Sequence, residues 1–343
     1  MPIEEARKHP QPVSWNHEVI APATPLGQEV TLEFKVSDIA TLINWRYFFL
    51  AWRLTGKFVE TFPWDLAEAD VEEWKSSLPE EECSKANEAL ELYRRARRLL
   101  DKVKDKVVAR GVVKFLPAWS EEDDIVVLTE PLAENSSESE WKLMRLPMLR
   151  SQKADSEGYC PSLTDFVAPH DIVDIKEDAT DFIGFFGVTA TVPDHDCDGG
   201  ECDCGDPILT QTIGDRFAEA AAECQHWLVR TQLWGYAQDE GFDAERLKRE
   251  EYRGIRPAVG YPSLPDQLLN LEIAKILPLG QIGVTMTENG AMSPSSSICG
   301  LYIAHPAAKY FAIGKIGRDQ LEDYSGRRGI PSDRLASMLG KYV

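Results

Sequence analysis

No run of apolar residues in this chain approaches the roughly 20 residues that a helix needs to cross a bilayer. No membrane role is expected. The N-terminus, Met1 to Pro12, is polar and lacks a hydrophobic signal region, which makes a cytoplasmic location the default. Positive charge is scarce: 37 Lys and Arg stand against 57 Asp and Glu, a formal net charge of -20. So acidic a chain repels phosphate backbones, so nucleic-acid binding is not expected. The seven cysteines are an odd count and, without a signal region, read as reduced thiols and not as a disulfide framework. Motifs for nucleotide and acyl chemistry are missing too. There is no Gly-x-Gly-x-x-Gly after a strand, no Walker loop and no Gly-x-Ser-x-Gly elbow, and Gly314-Lys-Ile-Gly317 is too short to replace them.

What remains is a globular composition, 43% hydrophobic and 27% charged over 343 residues, enough for one large domain or two ordinary ones. Residues 1–34 read as an extended arm punctuated by Pro10, Pro12, Pro22 and Pro25. A helix capped by Asp38 is expected to run through Leu54 to a stop at Gly56. It is apolar nearly all round and so should be buried. An amphipathic helix follows from Ser84 to about Val108, with Leu90, Tyr93, Leu99, Leu100, Val103 and Val107 at helical spacing. Residues 112–116 and 125–128 flank the charged turn Glu121–Asp124 as a β-hairpin. Residues 130–140 read as a solvated acidic loop, and 141–149 as a further strand. The segment 181–190 reads as a strand in which Gly184 and Gly187 mark close backbone approach. A long helix is expected from Pro207 to Tyr236, a short one over 266–277, strands near 282–287, 298–304 and 310–316, and a helical tail. Hairpins and helices mixed without repeated βαβ units indicate an α+β fold.

Three stretches carry candidate chemistry. The run Arg256-Pro-Ala-Val-Gly-Tyr-Pro-Ser-Leu-Pro265 can be neither helix nor central strand, because three prolines remove backbone donors. A stiff, extended loop with a planar cation and an aromatic face, Arg256 and Tyr261, suits a clamp on a small polar ligand. The loop Asp194–Gly205 contains His195, Cys197, Cys202 and Cys204, which could supply four zinc ligands. Their spacing lacks a Cys-x-x-Cys knuckle, and the five acids around them favour a solvated insertion, so no metal is expected. Asp215, Glu219 and Glu223 lie four apart on one helix face, a solvated acidic stripe or a wall that attracts a cation. His305, before Pro306, reads as a histidine that orders its own turn through a backbone hydrogen bond.

Together these residues resemble a known family, the C-terminal, S-adenosylmethionine-binding activation domain of cobalamin-dependent methionine synthase. The resemblance begins near Ile3–Arg7 and passes through Ile43-Asn-Trp45, Phe48-Phe49, Tyr159-Cys160 and Leu163–Pro169. It continues through Asp181–Gly184, Asp215–Glu219 and Trp234-Gly-Tyr236 to Arg256–Pro265, His305-Pro306, Tyr310-Phe311, Asp319-Gln320 and Asp323-Tyr324. It implies a single C-shaped α+β domain over 35–343, with the arm 1–34 wrapped on it and a twisted antiparallel sheet flanked by helices. It also implies a function: reductive remethylation of an oxidised, inactive cobalamin. The methyl group comes from S-adenosylmethionine, the electron from a flavodoxin-like donor, and the cobalamin is carried by a partner domain or protein. On this resemblance Arg256 contacts the ligand's carboxylate, while Ala258 backbone groups and the Tyr261 ring line the same pocket. Tyr310 and Phe311 border the adenosine end. Glu219, Glu250 and Asp266 lie near the pocket or face the cobalamin. No side chain is a nucleophile. The part is a methyltransferase component, insufficient alone for methionine synthesis.

Two positions depart from the family pattern. Asn44 stands where an Asp that contacts the ligand is usual, and Asp266-Gln267 where Glu-His is usual. No Asp-x-His-x-x-Gly cobalamin-binding motif occurs. Two alternatives stay open: a docking module for a corrinoid or flavodoxin-like partner that does not use S-adenosylmethionine, and a reactivation partner of another corrinoid methyltransferase.

Overall fold

The computed structural model describes residues 1–15, 19–130, 142–172, 180–193 and 206–343. Its strands are β1 (Val30–Lys35), β2 (Val107–Glu121), β3 (Asp124–Leu128), β4 (Leu143–Pro147), β5 (Asp181–Ala190), β6 (Thr285–Met286), β7 (Met292–Ser293) and β8 (Ser297–Tyr302). Its α-helices are α1 (Ile3–Ala6), α2 (Val36–Ile39), α3 (Trp45–Ala51), α4 (Glu68–Ser77), α5 (Cys83–Val103), α6 (Pro207–Leu228), α7 (Ala244–Lys248), α8 (Leu269–Ile276), α9 (Arg318–Arg328) and α10 (Ser332–Leu339). The order β4-β3-β2-β5-β8, with β1 also on β2, makes a six-stranded sheet. β6 and β7 form a separate ribbon. The fold is α+β, an antiparallel sheet with helices, as expected. Among the described residues no helix is long and apolar enough to cross a membrane.

The chain divides into two compact units. The first comprises Met1–Leu32, Gly111–Thr189 and Gln225–Val343. In it β2 turns into β3 at Glu122, whose φ is 52°, with Glu121 opposite Asp124. β2 is much longer than the hairpin arm read from sequence. It passes through Pro117 because pairing with β3 begins at Ala118, so the missing donor costs that ladder nothing. Every residue of β5 is buried, and its glycines are there for contact. A Cβ at Gly184 would lie 2.9 Å from the Tyr302 Cβ, and one at Gly187 would collide with Leu279. Val112, Leu116, Ile183, Phe185, Leu301 and Ile303 fill the core around this sheet. The N-terminal arm opens with the helical turn α1 and is tied down by Ile3 N–H on Asp319 (2.6 Å), His9 C=O to Cys160 N–H (2.7 Å) and Thr24 N–H on Leu233 C=O (2.9 Å).

Three expectations in this unit are revised or extended. Residues 310–316 form no strand, because Gly314 takes φ 69° and the segment's backbone donors go to scattered partners, Ile313 N–H to Pro262 C=O at 2.9 Å and Ile316 N–H to Tyr342 C=O at 2.8 Å. The long helix is regular to Leu228 and ends in a wide π-turn, Val229–Leu233. The helical tail is two helices, α9 and α10, separated at Gly329 in the left-handed region.

The second unit comprises Glu33–Arg110 and Ala190–Cys224. The expected helix through residue 54 is broken here. Asp38 is not its cap but sits inside α2, where it accepts from Lys35 N–H at 2.7 Å, and Ile43 and Asn44 are extended. Asn44 then starts α3 afresh, its Oδ1 accepting from Arg46 N–H (3.1 Å) and Tyr47 N–H (3.4 Å). Nor is this segment buried all round. Phe48 and Phe49 are inside, but Tyr47 is 58% and Leu50 54% exposed. The buried face joins an aromatic cluster: Phe49 to Phe62 at 5.0 Å, Phe62 to Trp64 at 4.6 Å and Trp45 to Tyr93 at 4.8 Å between ring centroids. The helix α4 has no counterpart in the sequence reading, since its only buried side chains are Val71 and Trp74.

At the start of β5 in the first unit, burial pushes the Asp181 carboxyl up to about 6, although it accepts from Ala168 N–H (3.0 Å) and Phe182 N–H (2.8 Å). The folded state therefore holds this proton more tightly than the unfolded chain, where a carboxyl titrates near about 3.9. Its stabilisation is complete below that value and is lost as pH rises through about 6. Urea unfolding of wild type and Asp181→Asn from about pH 4 to about pH 7 should show the wild type losing ground as pH rises. A pH-independent difference would contradict this assignment.

Candidate functional site

The proline-rich run is an edge piece of the sheet. Ile255 and Ile303 exchange both backbone hydrogen bonds (2.9 and 3.0 Å), Leu301 N–H donates to Pro257 C=O (3.0 Å), and Val259 N–H donates to Cys299 C=O (2.9 Å). Two bonds of a full antiparallel ladder are missing, the one Pro257 cannot donate and the one from Cys299 N–H to Val259 C=O, so the pairing is reduced to isolated bridges beside β8. Gly300 makes the approach possible: a Cβ there would collide with the Pro257 carbonyl and the Ala258 Cα. Neither this pairing nor the role of Gly300 was read from the sequence. A glycine inside the strand 298–304 was the available signal.

Because 255, 257 and 259 face β8, the backbones of 256 and 258 face the other way. Arg256 N–H donates to the Tyr310 hydroxyl at 3.0 Å, and Ala258 C=O accepts from Tyr261 N–H at 3.2 Å. Ala258 is buried, yet its N–H makes no hydrogen bond to the described residues. A buried donor of this kind is costly unless something accepts from it. Beyond it the chain reverses at Gly260, φ 89°, closed by Gly260 N–H to Leu264 C=O (2.8 Å), and the Tyr261 ring stands 46% exposed at the tip. The run is stiff and irregular, as expected from its prolines, and the Arg256 backbone is pinned by the Tyr310 hydroxyl.

Among the other expected residues of this unit, Phe311 is half-buried and approaches Phe166 at 6.4 Å. Glu250 is exposed just after α7, with φ 57°. Asp266 is 1% exposed and fully engaged: it accepts from the Tyr324 hydroxyl (2.8 Å), Arg328 Nε (3.2 Å) and Leu268 N–H (3.0 Å). His305 orders its turn as expected. Its Nδ1 accepts from Ala307 N–H at 3.0 Å, which leaves the proton on Nε2 to donate to Ser14 C=O at 3.2 Å.

In the second unit Asn44 is the helix cap described above. Glu219 is half-buried on α6, and the acidic stripe is not simply solvated, since Glu223 is only 8% exposed. The candidate zinc ligands His195, Cys197, Cys202 and Cys204 lie outside the described residues. Among the described residues no His, Cys, Asp and Glu group could hold a metal ion, and Cys83, Cys160, Cys224 and Cys299 are free thiols.

The chain can now be set beside known proteins. Residues 35–329 match the family model for the activation domain of vitamin B12 dependent methionine synthase. A solved structure described as the MetH reactivation domain bound to AdoHcy superimposes with a TM-score of 0.77 at 30% sequence identity. The match covers 100% of this chain and 98% of that one. A family match over most of the chain and a shared fold over all of it agree with the resemblance carried by the proline-rich run. The chain belongs to the methionine synthase activation domain family.

Proposed function

We propose that this protein binds S-adenosylmethionine and presents it for reductive remethylation of a cobalamin held by a partner, the cobalamin-binding domain of methionine synthase in cis or in trans. The observation that carries this reading is the full-length match to a reactivation domain whose structure holds AdoHcy. The residues here fit such a ligand. Arg256 offers a planar cation and Ala258 a buried N–H without a partner among the described residues, both suited to a carboxylate. The Tyr261 ring, 46% exposed, is of a kind that suits an apolar or cationic group. Tyr310 and Phe311 would border the adenosine end, and Glu219 and Glu250 would contribute negative charge around the pocket or toward the cobalamin, whereas Asp266 is buried and paired with Arg328. When bound, S-adenosylmethionine supplies the methyl group, which passes to the partner's cobalamin once a flavodoxin-like donor has reduced the cobalt. This chain's part is to hold and orient, and none of its side chains acts as nucleophile. A cytoplasmic location and a role as a methyltransferase component belong to the same proposal. Calorimetric titration with S-adenosylmethionine tests it: saturable binding is expected, and no heat at millimolar ligand would end it.

Asn44 sets the affinity. Its one acceptor oxygen already caps α3, and what remains is an NH2 donor that cannot accept from an ammonium group. An aspartate at this position would cap equally well and add a negative charge at the helix N-terminus, so Asn44→Asp should not cost stability. The variant is expected to bind S-adenosylmethionine about tenfold more tightly, about 1.4 kcal/mol. Equal affinities would remove Asn44 from the site. The same residue favours the second reading, a docking module that does not use S-adenosylmethionine, and the calorimetry separates the two.

A further inference from the structure

Behind the Arg256 run, in the first unit, lies a buried layer of rings and polar groups that the proposed binding role does not use. It hangs from the end of α6, where the helix opens into the π-turn Val229–Leu233. Such turns are frequent at functional sites. Gln225, His226 and Arg230 in this region are fully buried. His226 Nε2 lies 3.3 Å from the Tyr236 hydroxyl. The imidazole stacks on Tyr302 (5.1 Å between centroids, 20° between planes) and meets Tyr252 edge-on (5.0 Å, 84°). Both tyrosines are held in turn. Gln225 Nε2 donates to the Tyr302 hydroxyl at 3.2 Å, and Phe186 stacks on the Tyr302 ring at 4.8 Å. The Arg230 guanidinium covers the Tyr252 face at 3.9 Å while both of its bonds to Glu240 are 2.7 Å long.

This layer reaches the clamp through Gly254. That residue has φ 78°, and a Cβ on it would come within 2.8 Å of the Tyr236 hydroxyl and 2.7 Å of the Ile303 carbonyl. The Gly254 turn is thus seated between Tyr236 and the end of β8. Ile255 pairs with Ile303 immediately after it, and Arg256 follows. A shift of the Tyr236 hydroxyl would move the turn that aims Arg256. Burial, and then the positive charges of Arg230 and Arg256, hold the His226 pKa well below the ordinary histidine range. His226 is therefore neutral and close enough to Arg256 to feel its charge, yet adds no second cation beside it.

We infer that His226 is a positioning residue for Arg256: through the Tyr236 hydroxyl and the Gly254 turn it sets where the guanidinium stands, and so governs recognition of the ligand's carboxylate and not of its nucleoside end. The inference rests on the S-adenosylmethionine reading above. It is tested with His226→Phe and Tyr236→Phe, each of which keeps a ring in place and removes one side of the polar contact. Each variant is titrated with S-adenosylmethionine and with its decarboxylated analogue. Both variants are expected to bind S-adenosylmethionine about tenfold more weakly, while binding of the decarboxylated analogue stays as in the wild type. Equal losses toward both ligands, or no loss toward either, would overturn the inference and leave His226 a packing residue. Should His226→Phe not fold, Tyr236→Phe decides alone. Failure of the wild type to bind S-adenosylmethionine would overturn the parent reading, an outcome the wild-type titration shows before any variant is compared.

Discussion

Arg256→Ala is expected to weaken S-adenosylmethionine binding by about two orders of magnitude, about 2.7 kcal/mol. The substitution leaves the backbone contacts at this position in place. The residue 256 N–H would still reach the Tyr310 hydroxyl, and Ile255, Pro257 and Val259 would still pair beside β8. What is lost is a charge-assisted, potentially bidentate partner for a carboxylate. Arg256→Lys should recover part of the affinity, since it restores the charge and not the planar fork. Calorimetry on the three proteins checks the order. A loss below about threefold in the Ala variant would mean that the carboxylate is held elsewhere.

Arg150→Met is expected to cause the largest loss of stability, about 3–5 kcal/mol by urea unfolding. Arg150 is 4% exposed and bonds Asp123 (2.8 Å), both oxygens of Asp165 (2.8 and 2.9 Å) and the Cys160 carbonyl (2.9 Å). Removing it leaves the buried Asp165 carboxylate with no cation among the described residues and Asp123 with Arg7 alone, and an uncompensated buried charge costs more than the pair itself contributes. The network runs on through Arg7, which takes Asp123 at 2.9 Å and both oxygens of Asp323 at 3.0 Å. Asp323 in turn accepts from Arg327 (2.9 Å), which also reaches Asp124 (2.7 Å). The first turn of the chain and α9 are thereby joined through one set of charges. A loss under about 1 kcal/mol would show that the carboxylates find other partners or take up protons.

Much of this architecture is legible in the chain. The strand 181–190 is apolar throughout with two glycines, and both glycines prove to be points of contact. The helix α5 carries a regular apolar stripe that survives in the fold. Legibility fails where a local pattern serves a distant partner. Residues 38–54 look like one helix by composition, but an asparagine that can cap divides them, and capping competes with helix continuation residue by residue. The aromatics there read as wholly buried because composition does not say which face of a short helix meets solvent. In the candidate site, Arg256 and Tyr261 stand out by chemistry and stiffness. The bond from Arg256 to Tyr310 spans 54 positions and has no local signature. Asp266 enters the sequence reading only as a residue near the pocket or facing the cobalamin, and the fold shows the tyrosine and arginine that occupy it.

The pairing of residues 255–259 beside β8 also bears on how copies of this chain behave toward one another. A sheet that ends in a bare strand offers a row of donors and acceptors on which another chain can build. Here the last stretch of the sheet spends its inward groups on β8. Of its outward groups, the Arg256 N–H is covered by a phenol and the Ala258 carbonyl by its own turn. The Gly260 reversal and the prolines at 262 and 265 stop the run from lengthening. The same stiffness that suits a ligand clamp therefore leaves little of this margin for another strand to pair with, since the one outward donor without a partner among the described residues, the Ala258 N–H, is buried.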